Sequence, residues 1–196
     1  YEESGQWPRL LGVRKILMGH AEEGSGEQLE HLIQLRDLCA EKLGERAEAF
    51  DWAAKAYAIA PEQTELREAL EERAGESDSW ETLLEIYEAR AEATESSEEQ
   101  LELLRRVARL SADVLGRPED AVVNYQRVLE LKPGDDEALA TLERIYAGSG
   151  QFDKLLEVFQ TRLDLAEDDE TRRDLLKEMA RIHEEGLEDL AAASQT

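Results

Sequence analysis

The 196-residue chain has little of what interrupts helices, crosses membranes or carries metal chemistry. It contains 4 Pro, 12 Gly, 1 Cys, 3 His and only 3 Phe, 5 Tyr and 3 Trp. A single cysteine excludes an internal disulfide framework and a multi-cysteine zinc site. No apolar run reaches the roughly 18 residues of a membrane-spanning helix. The scarcity of breakers, beside many Ala, Glu, Leu and Arg residues, predicts helix throughout.

Basic residues are also scarce relative to acidic ones. The chain has 23 Lys and Arg against 47 Asp and Glu, which gives a formal net charge of −24. This balance excludes nucleic acid as a partner because phosphates would be repelled, and it disfavours anionic membranes. The excess lies in 62–100 and 134–196, on either side of a near-neutral stretch. It indicates either solvated helix faces or a groove that attracts a basic or amphipathic partner.

The sequence repeats itself at an offset of 72 residues without a gap. The residues EQLE at 27–30 return at 99–102, and Pro61 returns as Pro133. Residues 1–13 match 146–158, which predicts that the chain starts at the end of a helix whose beginning is absent. Because neither end looks like a polar capping unit, we expect a segment of a longer array.

Each 72-residue period divides into two helical hairpins of roughly 34–38 residues, the length of a two-helix solenoid repeat. In 101–115 the apolar residues form two stripes, each stepping by three and four. A helix packed between neighbours on both sides needs two such faces. The breakers then give an all-α fold with a leading partial unit at 1–20 and hairpins at about 27–60, 62–95, 97–132, 136–166 and 170–196, the last incomplete.

The segment AVVNYQRVLELKPGD at 121–135 resembles the second helix and exit of a tetratricopeptide repeat (TPR). Gly116 stands where that family places its inter-helix glycine. Ala121 occupies the small helix-crossing position, Tyr125 the aromatic position and Pro133 the terminal proline. The resemblance covers nearly the whole chain, although the hairpins that begin at 62 and 136 follow the pattern less closely.

This resemblance implies a right-handed α-solenoid of antiparallel hairpins, a TPR-like superhelix with a concave groove. The first helix of each hairpin would line that groove. Its candidate partner-binding residues are His31, Gln34, Leu38, Lys42, Glu65, Glu68, Glu72, Leu103, Arg106, Leu110, Asp113, Arg144, Glu178 and Ile182. We favour a place in the inter-helix core over a docking surface for Leu103, Leu110, Leu175 and Ile182, and where they are exposed they would suit an amphipathic helix in the groove. Because acids surround the few cations, we expect no clamp for a peptide's terminal carboxylate.

Motifs for catalysis and cofactors are absent from the sequence. It has no GxxxxGK[ST], HExxH, CxxC or GxSxG pattern. Cys39, Ser111 and His183 share one register position, which indicates core packing for the thiol and the imidazole. The acidic run at 167–170 is typical of a helix start. We therefore expect no catalytic residue, no metal site, no cofactor and no enzyme activity.

The sequence thus predicts a non-enzymatic scaffold that binds partner protein through its concave groove or stacks in a larger assembly. One alternative is a regulatory or substrate-recruiting arm of an enzyme whose catalytic domain lies outside these residues. Another is a periplasmic or secretion-associated assembly factor, although we favour a soluble, cytoplasmic protein without membrane insertion. Arg outnumbers Lys 17 to 6, which fits a GC-rich bacterial genome.

Overall fold

The computed structural model describes residues 6–185, and every regular element within them is a helix. The prediction of an all-α fold is confirmed, whereas the last part of the hairpin predicted at 170–196 lies outside the described residues. The α-helices are α1 Trp7–His20, α2 Gly26–Asp37, α3 Arg46–Ile59, α4 Thr64–Ser77, α5 Trp80–Ala93, α6 Ser97–Arg109, α7 Pro118–Leu131, α8 Asp136–Ser149, α9 Phe152–Leu165 and α10 Asp169–Glu185. None of these helices is both long enough and apolar enough to span a membrane.

The chain forms two compact units, unit 1 over residues 1–86 and unit 2 over residues 87–196. In unit 1, α1 packs on α2, α2 packs on α3, and α3 packs on α4. In unit 2, the helices α6 to α10 follow the same rule. Packing between chain neighbours is the contact pattern of helical repeats. The single continuous array and the right-handed superhelix stay predictions.

The core of unit 1 shows why α2 needs two apolar faces. The helices before and after α2 both pack on it, so side chains on both faces leave water. One hydrophobic cluster joins residues of α2 and the turn after it to residues of α3, the turn after α3, and α4. Its members are Leu32, Leu35, Cys39, Ala49, Trp52, Ala56, Ala60 and Leu66. In unit 2, α6 likewise buries Leu103, Leu104, Val107 and Ala108. Each large side chain so buried contributes about 1.5–3 kcal/mol.

The last turns of α2 and α6 depart from regular α-helix. Both widen into π-helical turns, over Leu38–Leu43 and Leu110–Val114. A backbone hydrogen bond closes each of these turns. The Glu45 N–H bonds to the Cys39 carbonyl at 3.0 Å, and the Arg117 N–H bonds to the Ser111 carbonyl at 2.7 Å. Each bond joins residues six apart, one more than in the bond that closes an α-helix at a left-handed exit residue, so each turn contains one extra residue.

Glycine fills that left-handed position in both units, with φ of 70° at Gly44 and 65° at Gly116. A side chain there would bring its Cβ against the following carbonyl oxygen. The two turns are 72 residues apart and share their hydrogen bonds, so the sequence repeat is also a repeat of backbone geometry. Beyond each turn, the small residue at the helix crossing, Ala49 or Ala121, is fully buried.

Helix starts are fixed by side chains that accept backbone hydrogen bonds. Ser25 caps α2 by accepting from the Gln28 N–H at 3.1 Å, and Ser96 caps α6 in the same way. At the acidic run 167–170, Asp168 accepts from the Thr171 N–H at 2.7 Å. This run therefore starts a helix, as its sequence predicts, because acids satisfy the free N–H groups and the helix dipole.

We expect alanine to have opposite effects at two glycines of unit 2. Gly116→Ala forces a Cβ into the left-handed region and should lower the free energy of unfolding by about 1 kcal/mol. Gly148→Ala lies in α8, where an added Cβ meets no atom within 4 Å, and should raise it by about 0.5–1 kcal/mol. Urea denaturation followed by circular dichroism measures both. Stabilisation by Gly116→Ala would show that this turn does not need its left-handed residue.

Candidate functional site

The predicted groove residues fall into three exposure classes. The exposed ones are Lys42, Glu65, Glu68, Glu72, Asp113, Arg144 and Glu178, and the half-buried ones are His31, Gln34, Arg106 and Leu110. Leu38, Leu103 and Ile182 are only 7%, 3% and 7% exposed. These three side chains therefore belong to the core and not to an open groove surface. For Leu38 the reason is that its turn packs on both α1 and α3, which leaves little of the turn's circumference to solvent.

Three of the predicted residues meet beside the first helix of unit 1. Gln34, Leu38 and Lys42 line an open cavity of about 410 Å³, and α1 provides the other wall with Trp7 and Leu10. The Lys42 ammonium lies 6.0 Å from the centroid of the Trp7 ring, within range of a cation–π contact. Sequence analysis did not assign Trp7 to this surface. The cavity has an aromatic and aliphatic wall with charged groups at its rim.

The exposed glutamates of α4, Glu65, Glu68 and Glu72, form what we call the acidic face. Their spacing of three and four residues puts them on one side of the helix. Glu72 is bound by Arg73 at 2.7 Å. Within residues 6–185, Glu65 and Glu68 make no ion pair or hydrogen bond through their side chains. The acidic face thus presents two carboxylates that only water solvates.

The corresponding glutamate of unit 2 is fully engaged. Arg109 of α6 donates through Nε and Nη2 to both carboxylate oxygens of Glu137 on α8. The Tyr125 hydroxyl donates to the same carboxylate at 3.2 Å. The hydrogen bonds from Arg109 hold the pKa of the Glu137 carboxyl below its ordinary value, and they raise the pKa of the Arg109 guanidinium. Bidentate pairs of this kind are among the strongest polar contacts.

The 72-residue register explains the difference between the two glutamates. Glu65 stands at the position of Glu137, but Asp37 replaces the arginine and Ala53 replaces the tyrosine. Asp37 itself is bound by Arg36 at 2.7 Å. Unit 1 therefore has two acids where unit 2 has an arginine and an acid. The sequence already contained this signal, in the aligned residues 37 and 109.

A second ion pair, between Arg105 and Asp135, joins the same two helices of unit 2. The Asp135 side chain is only 3% exposed; it accepts from Arg105 and lies 3.5 Å from the Lys132 ammonium. It also caps α8 by accepting from the Ala138 N–H at 3.1 Å. Burial by itself raises the pKa of Asp135, but the contacts with Arg105 and the Ala138 N–H outweigh it and lower the pKa overall.

The cations considered for a carboxylate clamp have different surroundings. Arg106 is bound by Glu102 of its own helix at 2.9 Å, and Lys42 lies 3.5 Å from Glu41. Arg144 is exposed and makes no ion pair with any residue that the structure describes. Arg106 and Lys42 are thus partly neutralised by neighbouring acids.

The cysteine and histidine side chains that could carry catalysis or bind a metal lie apart from one another. Cys39 is fully buried, and burial raises the pKa of its thiol to about 11, so it stays protonated at neutral pH. His31 and His183 are half-buried, on different units. In the described part of the chain, no three His, Cys, Asp or Glu side chains come together as ligands for a metal ion.

No family model matches the chain, and no curated protein does. Among solved structures it is similar to MamA, with 18% identity over 83% of this chain and 90% of that one, at a TM-score of 0.46. YrrB, described as "a TPR protein with an unusual peptide-binding site", gives 18% identity over 84% and 80%, at 0.44. TPR-like repeats of a putative kinesin light chain from Podosopora anserina give 17% identity over 100% and 88%, at 0.36.

The chain's own helices and turns show a repeat architecture. Residues 6–185 contain helices alone, and equivalent turns recur 72 residues apart with the same hydrogen bonds. The chain is an all-helical repeat protein. In the hairpins at 27–60 and 97–132, the left-handed Gly44 and Gly116 and the buried Ala49 and Ala121 stand where the resemblance to a TPR predicts a glycine and a small residue.

We expect Asp135→Asn to destabilise the protein by about 2 kcal/mol at pH 7, because asparagine keeps the helix cap but removes the charge that binds Arg105. Since the folded-state pKa of Asp135 is lowered, its stabilisation is present above its unfolded value of about 3.9 and is lost as pH falls through the folded value. Urea denaturation from pH 7 to pH 2 should therefore show the two proteins converging in acid.

The control for this prediction is Asp136→Asn, which removes the neighbouring exposed carboxylate. It should change the free energy of unfolding by less than about 0.5 kcal/mol. A constant difference between wild type and Asp135→Asn over the whole pH range would contradict the assignment.

Proposed function

We propose that the chain is a non-catalytic protein-interaction module whose unit 1 binds a basic, amphipathic segment of a partner protein. The observation that carries this proposal is the unpaired Glu65 on the acidic face. Its equivalent in unit 2, Glu137, is satisfied internally by Arg109 and Tyr125. A partner's arginine would supply to Glu65 the guanidinium that its own unit lacks.

Charge complementarity supports a basic partner. Residues 62–100, which include the acidic face, hold 14 acids and 3 bases. Such a field raises the association rate of a cationic segment, most strongly at low salt. Because Glu65 and Glu68 are exposed, pairing them with a partner's cations costs little desolvation.

The cavity between α1 and α2 supports an amphipathic partner. Asp37, which shares the register position of Arg109, is among the residues that line this cavity beside Trp7 and Leu10. Since Arg109 reaches Glu137 in unit 2, we infer from the register that Asp37, and with it the cavity, faces Glu65. A helix or strand that pairs its cations with the acidic face would have an apolar side chain within reach of Trp7. Hydrophobic anchors beside complementary charges are typical of grooves that take amphipathic helices.

A single substitution tests the proposal by introducing into unit 1 the arginine that binds the equivalent glutamate in unit 2. Asp37→Arg places an arginine at the position of Arg109, where it should bind Glu65 and block the site. The probe is a fluorescein-labelled 20-residue amphipathic helix with Arg on one face and Leu on the other, read by fluorescence anisotropy. We expect saturable binding by wild type and at least about tenfold weaker binding by Asp37→Arg and by Glu65→Gln.

The matched control is Glu22→Arg, which makes the same charge change at an exposed position of the turn after α1, away from the acidic face and from the cavity. It should leave the affinity within about twofold of wild type. Equal weakening by Glu22→Arg and Asp37→Arg would show that the peptide senses only net charge. Full affinity in Asp37→Arg would overturn the proposed site.

A further inference from the structure

Unit 2 contains a cleft with positive charges at its rim, opposite in sign to the acidic face of unit 1. It has a volume of about 510 Å³ and lies between the first half of α7 and the turn from α8 to α9. Val122, Val123 and Ile145 form an apolar patch in its lining. Val123 is 56% exposed, which makes it one of the most exposed large apolar side chains that the structure describes. We call this the cationic cleft because of the two charges at its rim.

Those charges are Arg144 in the second half of α8 and Lys154 near the start of α9. In the described residues neither forms an ion pair. The Lys154 ammonium lies 5.5 Å from the centroid of the Tyr146 ring, and the Tyr146 hydroxyl accepts from Gln126 at 3.1 Å. The ring is thus held by a hydrogen bond and supports the ammonium at the rim. Glu119 is the one acid among the cleft residues.

The equivalent positions of unit 1 show that the repeat fold does not require these residues. Asp51 stands at the position of Val123, Glu72 at that of Arg144 and Thr82 at that of Lys154. Unit 2 thus has an exposed valine and two cations where unit 1 has two acids and a threonine. In a chain of net charge −24, this local reversal concentrates positive charge beside exposed apolar surface.

We infer that the cationic cleft binds an acidic segment of a partner protein through an aliphatic side chain flanked by Asp or Glu. The aliphatic side chain covers Val122, Val123 and Ile145, and the flanking carboxylates pair with Arg144 and Lys154. Apolar contact supplies non-directional affinity, whereas the two cations select for carboxylates. The acidic remainder of the chain repels such a segment, which directs it to this cleft. The inference is independent of the acidic face, since the two sites take partners of opposite charge.

The test uses a 12-residue peptide with a central Leu between two Glu, acetylated and amidated so that it has no terminal carboxylate. Isothermal titration calorimetry with the full chain should show saturable one-to-one binding. The peptides with Gln in place of both Glu, or with Ser in place of Leu, should bind at least about tenfold more weakly. These two arms separate the electrostatic contribution from the apolar one.

The variants Arg144→Glu and Val123→Asp introduce the residues that unit 1 has at the same positions, so the fold accommodates them. Each should weaken the peptide at least about tenfold, with an unchanged circular dichroism spectrum. Arg173→Glu makes the same charge change at an exposed position of α10 and should leave binding unchanged. The inference is overturned by absent binding at millimolar peptide, by equal weakening in Arg173→Glu, or by tighter binding of a phosphoserine peptide without Leu.

Discussion

Two-sided burial of the first helix in a hairpin is the constraint on which the rest of this structure depends. In unit 1, α2 packs on the helix before it and on the helix after it, and its leucines enter one continuous cluster. A helix so enclosed must end sharply, because the next helix returns along its side. The wide last turn, the left-handed Gly44 and the fully buried Ala49 together meet that need. Unit 2 meets it in the same way.

Because the backbone and the buried residues fulfil this constraint, the exposed positions of the two units have been able to diverge. Unit 2 neutralises Glu137 with its own arginine, whereas unit 1 has a second acid at the arginine's position. At the cationic cleft the charges of the two units are opposite. Unit 1 has the acids Asp51 and Glu72 where unit 2 has Val123 and Arg144. One scaffold thereby presents two surfaces of opposite charge. The proposed partners differ accordingly, one basic and one acidic.

The helices could be predicted from the sequence because their signals are local. Turn residues such as Gly116 and Pro118 separate segments with apolar residues at every third or fourth position, and that spacing is specific for helix. The π-helical turns could not be predicted from the sequence, because the spacing of apolar residues does not reveal where a helix widens at its end. The burial of Leu38 was missed because it depends on how closely the neighbouring helix approaches. The Arg109–Glu137 pair was also missed, because it joins two helices whose separation only the tertiary structure sets.

In unit 2 the side chains of Arg109 and Glu137 attract each other, whereas in unit 1 the side chains at the equivalent positions, Asp37 and Glu65, do not. Double-mutant cycles on the free energy of unfolding measure this directly, with Arg109 and Glu137 as one pair and Asp37 and Glu65 as the other. Glutamine replaces each residue singly and then in pairs. Our account predicts a favourable coupling of about 0.5–1 kcal/mol between Arg109 and Glu137, and a coupling that is zero or unfavourable between Asp37 and Glu65. A favourable coupling of similar size in both pairs would contradict it.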